Sequence, residues 1–327
     1  MHILVVGGAG YIGSATAAHF IAAGHQVTVF DNLVRGHREA VPSEARFILG
    51  DVGDRAALDV LFQTLDIDAV AHFAAFIEAG ESMQNPGKYF HNNVTNSQIL
   101  LEAMVTHGVK RLVFSSTAAV YATKNSAIDE NDPLGPSNVY GETKLMIERM
   151  IHWYHSQLGL RYAILRYFNA CGAMLDAGGR VLRGEAHTPE THLIPLTLQV
   201  ALGQRERMKI FGNDYPTPDG TCVRDYIHIE DLASAHVLAL EAVDERCAMT
   251  YNLGNGQGYS VQEVINVARE VTGHPIPTDV VERRPGDAPI LIASAERINH
   301  DLGWQPRYPS LHEIIASAWA WHQNPYY

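Results

Sequence analysis

The chain has 327 residues, of which 46% are apolar, and a formal net charge of −12 at pH 7. This length exceeds the size at which a single hydrophobic core stops growing, so two domains are expected. The negative charge repels the phosphates of nucleic acid, and no apolar run reaches the roughly 20 residues of a membrane-spanning helix, so neither partner is expected.

The first half of the chain alternates short β-branched apolar runs with longer helical stretches, the pattern of an α/β fold with a parallel sheet. The predicted strands are His2 to Gly7, Gln26 to Asp31, Arg46 to Gly50, Ala69 to Ala74, Arg111 to Ser115 and Tyr162 to Arg166. The predicted helices are Tyr11 to Ala23, Ala56 to Leu65, Tyr89 to His107 and Tyr140 to Leu158. This is a doubly wound Rossmann sheet, whose ligands bind at the carboxyl ends of its strands.

After Arg166 the alternation ends, and glycine and proline become frequent. We therefore predict a sheet domain over residues 1–170 and a smaller α/β substrate-binding domain over 171–327. The boundary is approximate, because a helical segment from Glu230 to Val243 can return to the sheet. Further helices are predicted over Val261 to Thr272 and Leu311 to His322.

A glycine-rich turn follows the first strand, with Gly7, Gly10 and Gly13 at a spacing that allows backbone N–H groups to approach a pyrophosphate. Such a turn alone is weak evidence, but Asp31 ends the second strand 18 residues after Gly13. A carboxylate there accepts hydrogen bonds from both hydroxyls of an adenine ribose. The sequence predicts NAD, while Arg35 keeps a smaller possibility of NADP open.

Tyr140 and Lys144 lie four residues apart, on one face of a predicted helix. A tyrosine can act as a base at neutral pH only if a nearby cation stabilises its phenolate, and Lys144 together with a nicotinamide ring would do so. Thr117, at the end of the fifth strand, offers a hydroxyl to the substrate oxygen. We predict that these three residues are catalytic.

The cysteines and histidines bear on two further questions. Three cysteines cannot all pair within the chain, so we predict a reducing, cytoplasmic location. His187 and His192 lie five residues apart in a loop-like stretch with only Glu185 and Glu190 nearby. Since a metal site needs a closed set of three or four ligands, no metal is predicted.

Longer motifs continue through both halves of the chain. The first half contains Phe30 to Leu33, Gly50 to Val52, His72 to Ala75, Gly80 to Ser82, Asn92 to Val94, Phe114 to Tyr121 and Leu165 to Asn169. The second half contains Ile210 to Thr217, Val223 to His228, Tyr251 to Gly254 and Arg283 to Asp287. With these motifs the chain resembles the extended short-chain dehydrogenase/reductase family, and within it the UDP-galactose 4-epimerases.

The resemblance implies two sets of binding residues. Those expected to line NAD are Gly7, Gly10, Tyr11, Ile12, Gly13, Asp31, Asn32, Asp51, Val52, Phe73, Ala74, Ala75, Asn92, Tyr140, Lys144 and Phe168. Those expected to hold a UDP-sugar are Thr117, Tyr140, Asn169, His192, Leu193, Lys209, Ile210, Phe211, Arg224, Tyr226, Arg284, Asp287 and Leu291. Guanidinium groups suit this task because they bind pyrophosphate oxygens bidentately.

The resemblance also implies a reaction, inversion at C4 of the sugar through a 4-keto intermediate with Tyr140 as acid and base, and a homodimer. The alternatives are a 4,6-dehydratase or decarboxylase on the same fold, or a non-catalytic NAD sensor. Ala118 and Ala119 stand where dehydratases of the family usually carry an acidic residue. Retention of the Tyr140 and Lys144 pair argues against a sensor.

Four positions depart from the family pattern or set its specificity. Ile77 stands where many members carry a lysine near the cofactor, which removes a charge that Arg35 could replace. His192 replaces an asparagine and Thr117 a serine, both with hydrogen-bonding capacity retained. Leu291 matches a position beside the C2 substituent of the sugar, and its intermediate volume predicts a preference for unacetylated sugars.

Overall fold

The computed structural model describes residues 1–124, 126–284 and 287–327. The strands are β1 (His2–Val6), β2 (Gln26–Asp31), β3 (Arg46–Leu49), β4 (Ala69–His72), β5 (Arg111–Thr117), β6 (Arg161–Tyr167), β7 (Asn169–Cys171), β8 (Met174–Leu175), β9 (Val181–Arg183), β10 (Met208–Phe211), β11 (Val223–His228), β12 (Ala248–Leu253), β13 (Gly258–Ser260), β14 (Thr278–Val281) and β15 (Ile290–Leu291). The helices are α1 (Tyr11–Ala22), α2 (Arg55–Thr64), α3 (Ala79–Gln84), α4 (Pro86–Tyr89), α5 (Asn96–Thr106), α6 (Val139–Leu158), α7 (Leu193–Ala201), α8 (Ile229–Arg246), α9 (Val261–Thr272), α10 (Glu296–Leu302) and α11 (Leu311–Gln323).

A seven-stranded sheet runs in the order β12-β6-β5-β4-β1-β2-β3. The pairs β1–β2, β1–β4, β2–β3 and β4–β5 are parallel. Every residue of β1 is buried, as expected for a central strand covered on both faces. The order reverses beside β1, so the carboxyl ends of β1 and β4 flank the crevice where doubly wound sheets bind ligands. The predicted fold class is confirmed.

The chain divides into two compact units. The first comprises residues 1–122, 132–166 and 233–251, and the second comprises 123–131, 167–232 and 252–327. The predicted return of the segment after residue 230 corresponds to α8, most of which belongs to the first unit. Each unit is made of several segments that alternate along the chain. The division of the chain into two domains at a single boundary near residue 170 stays a prediction.

Each unit has its own apolar core. In the first unit, side chains from the strands, such as Leu4 and Phe114, pack against helix residues such as Leu100 and Met104. In the second unit, the core lies among α7, α9 and α11 and includes Leu198, Ile265 and Ile314. None of the helices in the described ranges has the length and apolarity needed to cross a membrane.

Local signals explain where two of the helices begin. The side chain of Asn138 accepts a hydrogen bond from the Gly141 N–H at the start of α6, and α6 ends at Gly159 with φ +71°. At α9 the Ser260 hydroxyl and the Glu263 carboxylate form a capping box. Both arrangements satisfy backbone groups that a helix end leaves without partners.

A substitution at Gly13, in the first turn of α1, tests how closely the glycine-rich turn packs. A Cβ at Gly13 would lie 2.3 Å from the Gly7 carbonyl oxygen, whereas a Cβ at Gly87, also helical, meets nothing within 4 Å. We expect Gly13→Ala to lower the free energy of unfolding by about 1–3 kcal/mol. Gly87→Ala should be neutral or stabilising by up to about 1 kcal/mol. Urea midpoints of the two variants would measure this, and equal midpoints would contradict the packing.

Candidate active site

The turn after β1 is closed tightly against the end of β4. Gly7 has φ +80°, and a Cβ there would lie 2.5 Å from the Ala74 nitrogen. The Phe73 and Ala74 N–H groups both donate to the Val6 carbonyl, at 2.8 and 3.2 Å. The sequence-predicted residues Gly7, Phe73 and Ala74 therefore lie together. Only glycine fits the first of these positions without displacing backbone.

Helix α1 begins directly after this turn and leaves its N-terminus available to an anion. Its N-cap is Gly10, no side chain caps it, and no acidic residue stands in its first turn. Tyr11 and Ile12 are its first residues and are half-buried. Exposed N–H groups and the helix dipole at such an end favour a phosphate. The residues thus fit the pyrophosphate of a dinucleotide.

The Asp31 carboxylate joins the turn to the end of β2. It accepts hydrogen bonds from the Ala9 N–H at 2.9 Å and from the Leu33 N–H at 2.8 Å. Burial raises the pKa of Asp31, and these two backbone hydrogen bonds oppose the rise. The ribose carboxylate predicted from the sequence is therefore also a brace for the loop.

The residues after β3 lie next to the Asp31 end of β2. The Asn32 side chain donates to the Asp51 carboxylate at 2.7 Å, and the Gly53 N–H donates to its other oxygen at 2.7 Å. Val52, which lies between Asp51 and Gly53 in the sequence, is buried. The structure thus brings together Asn32 and Asp51, two of the residues that the sequence predicts to line NAD.

The segment after β4 is tied to α6 through two asparagines. The Asn92 side chain donates to Oδ1 of the Asn93 side chain at 3.0 Å. Asn93 in turn donates to the Phe76 carbonyl oxygen at 3.0 Å and to the Thr143 hydroxyl at 3.1 Å. Ala75 is half-buried in this segment. Asn93 therefore supports Asn92, a role that the sequence motif did not distinguish.

Arg35 is committed to an ion pair. Its Nη2 lies 3.0 Å from Glu78 Oε1, and the Ile77 N–H donates to the other Glu78 oxygen at 3.2 Å. The sequence offered two interpretations of Arg35: it binds the 2′-phosphate of NADP, or it replaces the lysine that is missing at Ile77. Both require a guanidinium that faces the cofactor. The pairing with Glu78 weakens both of them.

Tyr140 lies in the first turn of α6, with its N–H donating to the Ser82 hydroxyl at 3.1 Å. Burial raises the pKa of Tyr140 to about 12, while a hydrogen bond with Thr117 lowers it and the charge of Glu78 raises it. The Thr117 oxygen also accepts from the Ala119 N–H at 3.2 Å. The structure therefore joins Thr117 to Tyr140, as the sequence expects, but the protein alone favours the neutral phenol.

Lys144 is buried one turn further along α6. Its Nζ donates to the Ser115 carbonyl oxygen at 2.8 Å and lies 4.9 Å from the centre of the Phe114 ring. Burial lowers the pKa of Lys144 to about 7, although the charge of Glu148 raises it. The ammonium is therefore anchored to β5 but readily loses its proton.

Sequence reasoning gave no role to Glu148 and Arg166, which form a buried ion pair on α6 and β6, near the predicted catalytic residues of α6. Arg166 donates through Nη2 and Nε to the two Glu148 oxygens, at 2.5 and 3.0 Å, and through Nη1 to the Tyr121 hydroxyl at 2.8 Å. The Ser116 hydroxyl donates to Glu148 at 2.5 Å. The available signal was spacing, because Glu148 follows Lys144 by four residues on the same face of α6.

In the second unit, β11 gathers the predicted sugar-nucleotide residues. Tyr226 pairs with Asn169 of β7, and Arg224 pairs with Leu291 of β15. Arg224 also lies 3.4 Å from the Asp287 carboxylate and donates to the Ala288 carbonyl oxygen at 2.8 Å. Strand β11 thus carries two predicted residues, Arg224 and Tyr226, and has three more beside it: Asn169, Asp287 and Leu291.

Strand β10 carries a second group of predicted residues. Lys209 is exposed and Ile210 is buried, as expected for successive residues of a strand. The Arg284 guanidinium stacks 3.8 Å from the centre of the Phe211 ring. Pro285 and Gly286 of the Arg283 to Asp287 motif lie outside the described residues. Phe168, half-buried, links β6 to β7.

His192 is the N-cap of α7, and Leu193 packs against the core of the second unit. The structure corrects one premise of the sequence argument against a metal. Glu185, His187, Glu190 and His192 are not scattered along a loop, because one potential ligand atom from each lies within 4.8 Å of the others. Residues 187–192 form a turn that brings the two imidazoles together, which their spacing alone did not indicate.

Comparison with known proteins agrees with this geometry. A model of the NAD dependent epimerase/dehydratase family matches residues 3–254. A UDP-glucose 4-epimerase of Halalkalibacterium halodurans is 54% identical over 99% of this chain and 96% of its own length. A crystal structure of UDP-glucose 4-epimerase from Brucella ovis in complex with NAD has a TM-score of 0.93 and 42% identity, with 98% of each chain covered. A structure of UDP-glucose 4-epimerase from Bifidobacterium longum in complex with NAD+ and UDP has a TM-score of 0.93 and 37% identity, with 99% of each chain covered.

The buried ion pair generates a stability test. Glu148→Gln leaves the Arg166 charge buried without its partner, so we expect a loss of about 3–5 kcal/mol in the free energy of unfolding. The matched control is Asp244→Asn, which removes an exposed carboxylate paired with Arg111 and Arg161. Glu148 is 1% exposed and Asp244 44%, so the control should lose less than about 1 kcal/mol.

Urea unfolding of both variants and the wild type measures the difference. Similar losses for the two variants would show that the Glu148 pair contributes no more than a surface pair.

Proposed function

The chain belongs to the NAD dependent epimerase/dehydratase family, and from that membership we propose that it interconverts UDP-glucose and UDP-galactose by inverting C4 of the sugar. One observation carries the proposal. Tyr140, joined to Thr117, and Lys144, anchored to Ser115, lie at the carboxyl end of β5 in the same sheet whose β1 ends in the glycine-rich turn. An oxidoreductive pair and a dinucleotide site thus share one edge of one sheet.

The fit to NAD is supported by the shape and charge of the turn. Added Cβ atoms at Gly7 and Gly13 would collide with backbone, so the turn leaves its N–H groups accessible to a pyrophosphate. The buried Asp31 carboxylate suits two ribose hydroxyls and repels a 2′-phosphate. When bound, NAD accepts a hydride from C4 of the sugar, returns it, and adds a positive charge beside the phenol.

Tyr140 takes the proton of the sugar 4-hydroxyl and later gives it back. Its pKa of about 12 in the protein alone shows that it needs added positive charge to act as a base at neutral pH. Protonated Lys144 supplies part of that charge, and Thr117 holds the substrate oxygen beside Tyr140. Loss of the proton and hydride leaves a 4-keto sugar, and their return to the opposite face inverts C4 with no net oxidation.

The UDP group remains bound while the sugar turns. We assign its pyrophosphate to Arg224 and Arg284, because guanidinium groups bind phosphate oxygens bidentately. The Arg224 head is already oriented by Asp287 and the Ala288 carbonyl. The proposed nucleotide site is completed by Asn169, His192, Leu193, Tyr226 and the strand Lys209 to Phe211. The relatives named UDP-glucose 4-epimerase support this assignment.

A dehydratase or decarboxylase on this fold is a weaker proposal. Such enzymes need a further acid or base beside C5 and C6 of the sugar. Here Thr117 is followed by Ala118 and Ala119, whose helical turn is capped by the Thr117 oxygen itself. Neither alanine can transfer a proton. We also propose a homodimer acting in galactose metabolism in the cytoplasm, as in the family that the chain resembles.

Replacement of the proposed base tests the mechanism. Tyr140→Phe removes one hydroxyl, so we expect turnover of UDP-galactose to fall by about 100-fold or more while NAD remains bound. Tyr154→Phe, on the same helix but outside the proposed site, should keep wild-type turnover. The measurements are product separation after incubation with UDP-sugars and identification of the nucleotide released on denaturation.

Near wild-type turnover by Tyr140→Phe would show that another group is the base. Release of NADP in place of NAD would overturn the role given to Asp31. Failure of the wild type to convert any UDP-sugar would overturn the proposed function itself.

Leu291 is proposed to set the choice of sugar. It pairs with Arg224 across β15 and β11, so a residue of the proposed pyrophosphate site is its direct neighbour. Leucine is intermediate in volume between the bulky and the small residues that the resemblance associates with rejecting and accepting N-acetylated sugars. It cannot donate a hydrogen bond to an acetamido group. Plain UDP-hexoses are therefore expected to be preferred.

Leu291→Ala tests this assignment. We expect the ratio of kcat/KM for UDP-N-acetylglucosamine to that for UDP-glucose to rise by about 10-fold, because discrimination lies in that ratio and a few methylenes give effects of this size. Ile290→Ala, at the adjacent position with the opposite side-chain direction, is the matched control. An unchanged ratio in Leu291→Ala would mean that Leu291 is only a packed strand residue.

A further inference from the structure

The turn between β9 and α7 closes two histidines and two glutamates into one group. His192 Nδ1 lies 2.7 Å from Glu185 Oε1 and 3.2 Å from Glu190 Oε1. His187 Nδ1 lies 3.1 Å from the same Glu185 oxygen and 3.9 Å from Glu190 Oε2. The proposed function uses only His192 of these four residues.

These separations resemble those within a tetrahedral metal site. With metal–ligand distances near 2.0–2.1 Å, tetrahedral ligands lie about 3.4 Å apart. One potential ligand atom from each of the four residues already lies within 4.8 Å of the other three. Small side-chain rotations therefore suffice to bring all four into coordination.

The charges also favour a cation. The side chains of Glu185 and Glu190 are 5% and 6% exposed, so two carboxylates are buried side by side. The His187 imidazole lies within hydrogen-bond distance of Glu185, and the His192 imidazole lies within hydrogen-bond distance of Glu190. One divalent cation balances two carboxylates and leaves both imidazoles neutral.

Neighbouring groups hold the carboxylates in place. The Trp321 indole N–H donates to the Glu185 backbone carbonyl at 2.8 Å. The Thr191 and His192 N–H groups donate to Glu190 Oε1 at 2.7 and 2.8 Å, which leaves Oε2 as its ligand atom. Such outer contacts orient ligands in metal sites.

We propose that Glu185, His187, Glu190 and His192 bind one Zn²⁺ ion that fixes the turn at the start of α7. Two imidazole nitrogens and two carboxylate oxygens form a closed, four-ligand set, and both are donor types that Zn²⁺ accepts in tetrahedral geometry. Coordination requires ring nitrogens without protons, so any proton on a coordinating nitrogen leaves to solvent when Zn²⁺ binds. All four residues belong to the second unit, and His192 is the one that the proposed nucleotide site also uses.

Zinc binding by the full-length protein tests the proposal. After dialysis against a chelator and its removal, titration with ZnCl₂ alone, followed by calorimetry and elemental analysis, should give one Zn²⁺ per chain and a rise in Tm. His187→Ala should bind at least 10-fold more weakly. The control is His300→Ala, which removes an 88% exposed histidine paired with Asp301 in the same unit and should bind as the wild type does. His187 lies outside the proposed nucleotide site.

His187→Asn is the second variant, because its amide can still donate a hydrogen bond to Glu185 and so preserves the turn without a strong ligand. Urea midpoints in the presence of chelator verify that both variants fold. A visible absorption band of four-coordinate Co²⁺ in the wild type, lost in His187→Asn, is expected. The proposal is overturned if the wild type binds no stoichiometric Zn²⁺, or if both His187 variants bind it as tightly as His300→Ala.

Discussion

The buried ion pair between Glu148 and Arg166 joins α6 to β6, and the arrangement of the proposed catalytic residues on α6 depends on it. With exposures of 1% and 4%, both charges have left water, which is tolerated only when their hydrogen-bonding capacity is satisfied. Ser116 and Tyr121 supply further partners. Because these groups come from β5, the segment after it, α6 and β6, the pair sets both the rotation and the height of the helix against the sheet.

Burial then moves the ionisation of the two residues on that helix face in opposite directions. It raises the pKa of Tyr140 to about 12 and lowers that of Lys144 to about 7, so at neutral pH the phenol keeps its proton while the lysine is only partly protonated. On the proposed mechanism the phenol becomes a base only when positive charge arrives with the cofactor. The Glu148 charge contributes by keeping the lysine pKa from falling further.

Sequence reasoning succeeded where a signal is local. The six strands and their helices follow from hydrophobic periodicity, and the turn around Gly7 follows from glycine spacing and its position after a strand. Strand β12 was missed, because Ala248 to Leu253 mixes polar and apolar residues and joins the sheet only after a long excursion of the chain. The short strands around β11 were missed for the same reason, since each depends on partners distant in sequence.

The candidate site divides in the same way. Tyr140, Lys144 and Asp31 could be named because their spacing has a chemical meaning within one segment. The part played by Arg166 could not, because its partner Glu148 lies 18 residues away on another element. The turn that gathers Glu185 and His192 likewise depends on backbone geometry and on Trp321 from the end of the chain. Such contacts leave no periodic signal in the sequence.

An excess of acidic residues opposes the binding of two pyrophosphates, but several of these carboxylates accept hydrogen bonds from the protein's own backbone. Asp31 accepts from the Ala9 N–H, and Asp231 accepts from the Arg307 and Tyr308 N–H groups. Asp225 accepts from three backbone N–H groups, while burial raises its pKa to about 6. These side chains brace loops at strand ends and face inward.

Strand β11 shows how this arrangement leaves room for an anionic ligand. Asp225 is buried against the loops that it braces, and the alternation of a strand directs Arg224 to the opposite face, away from that carboxylate. The arginine instead meets Asp287 at 3.4 Å, a half-exposed partner whose hold is weak enough for a phosphate to share the guanidinium. The electrostatic interaction between two charges weakens with distance and with screening by salt. The close pairing of each phosphate with an arginine therefore outweighs the repulsion from the net charge of −12.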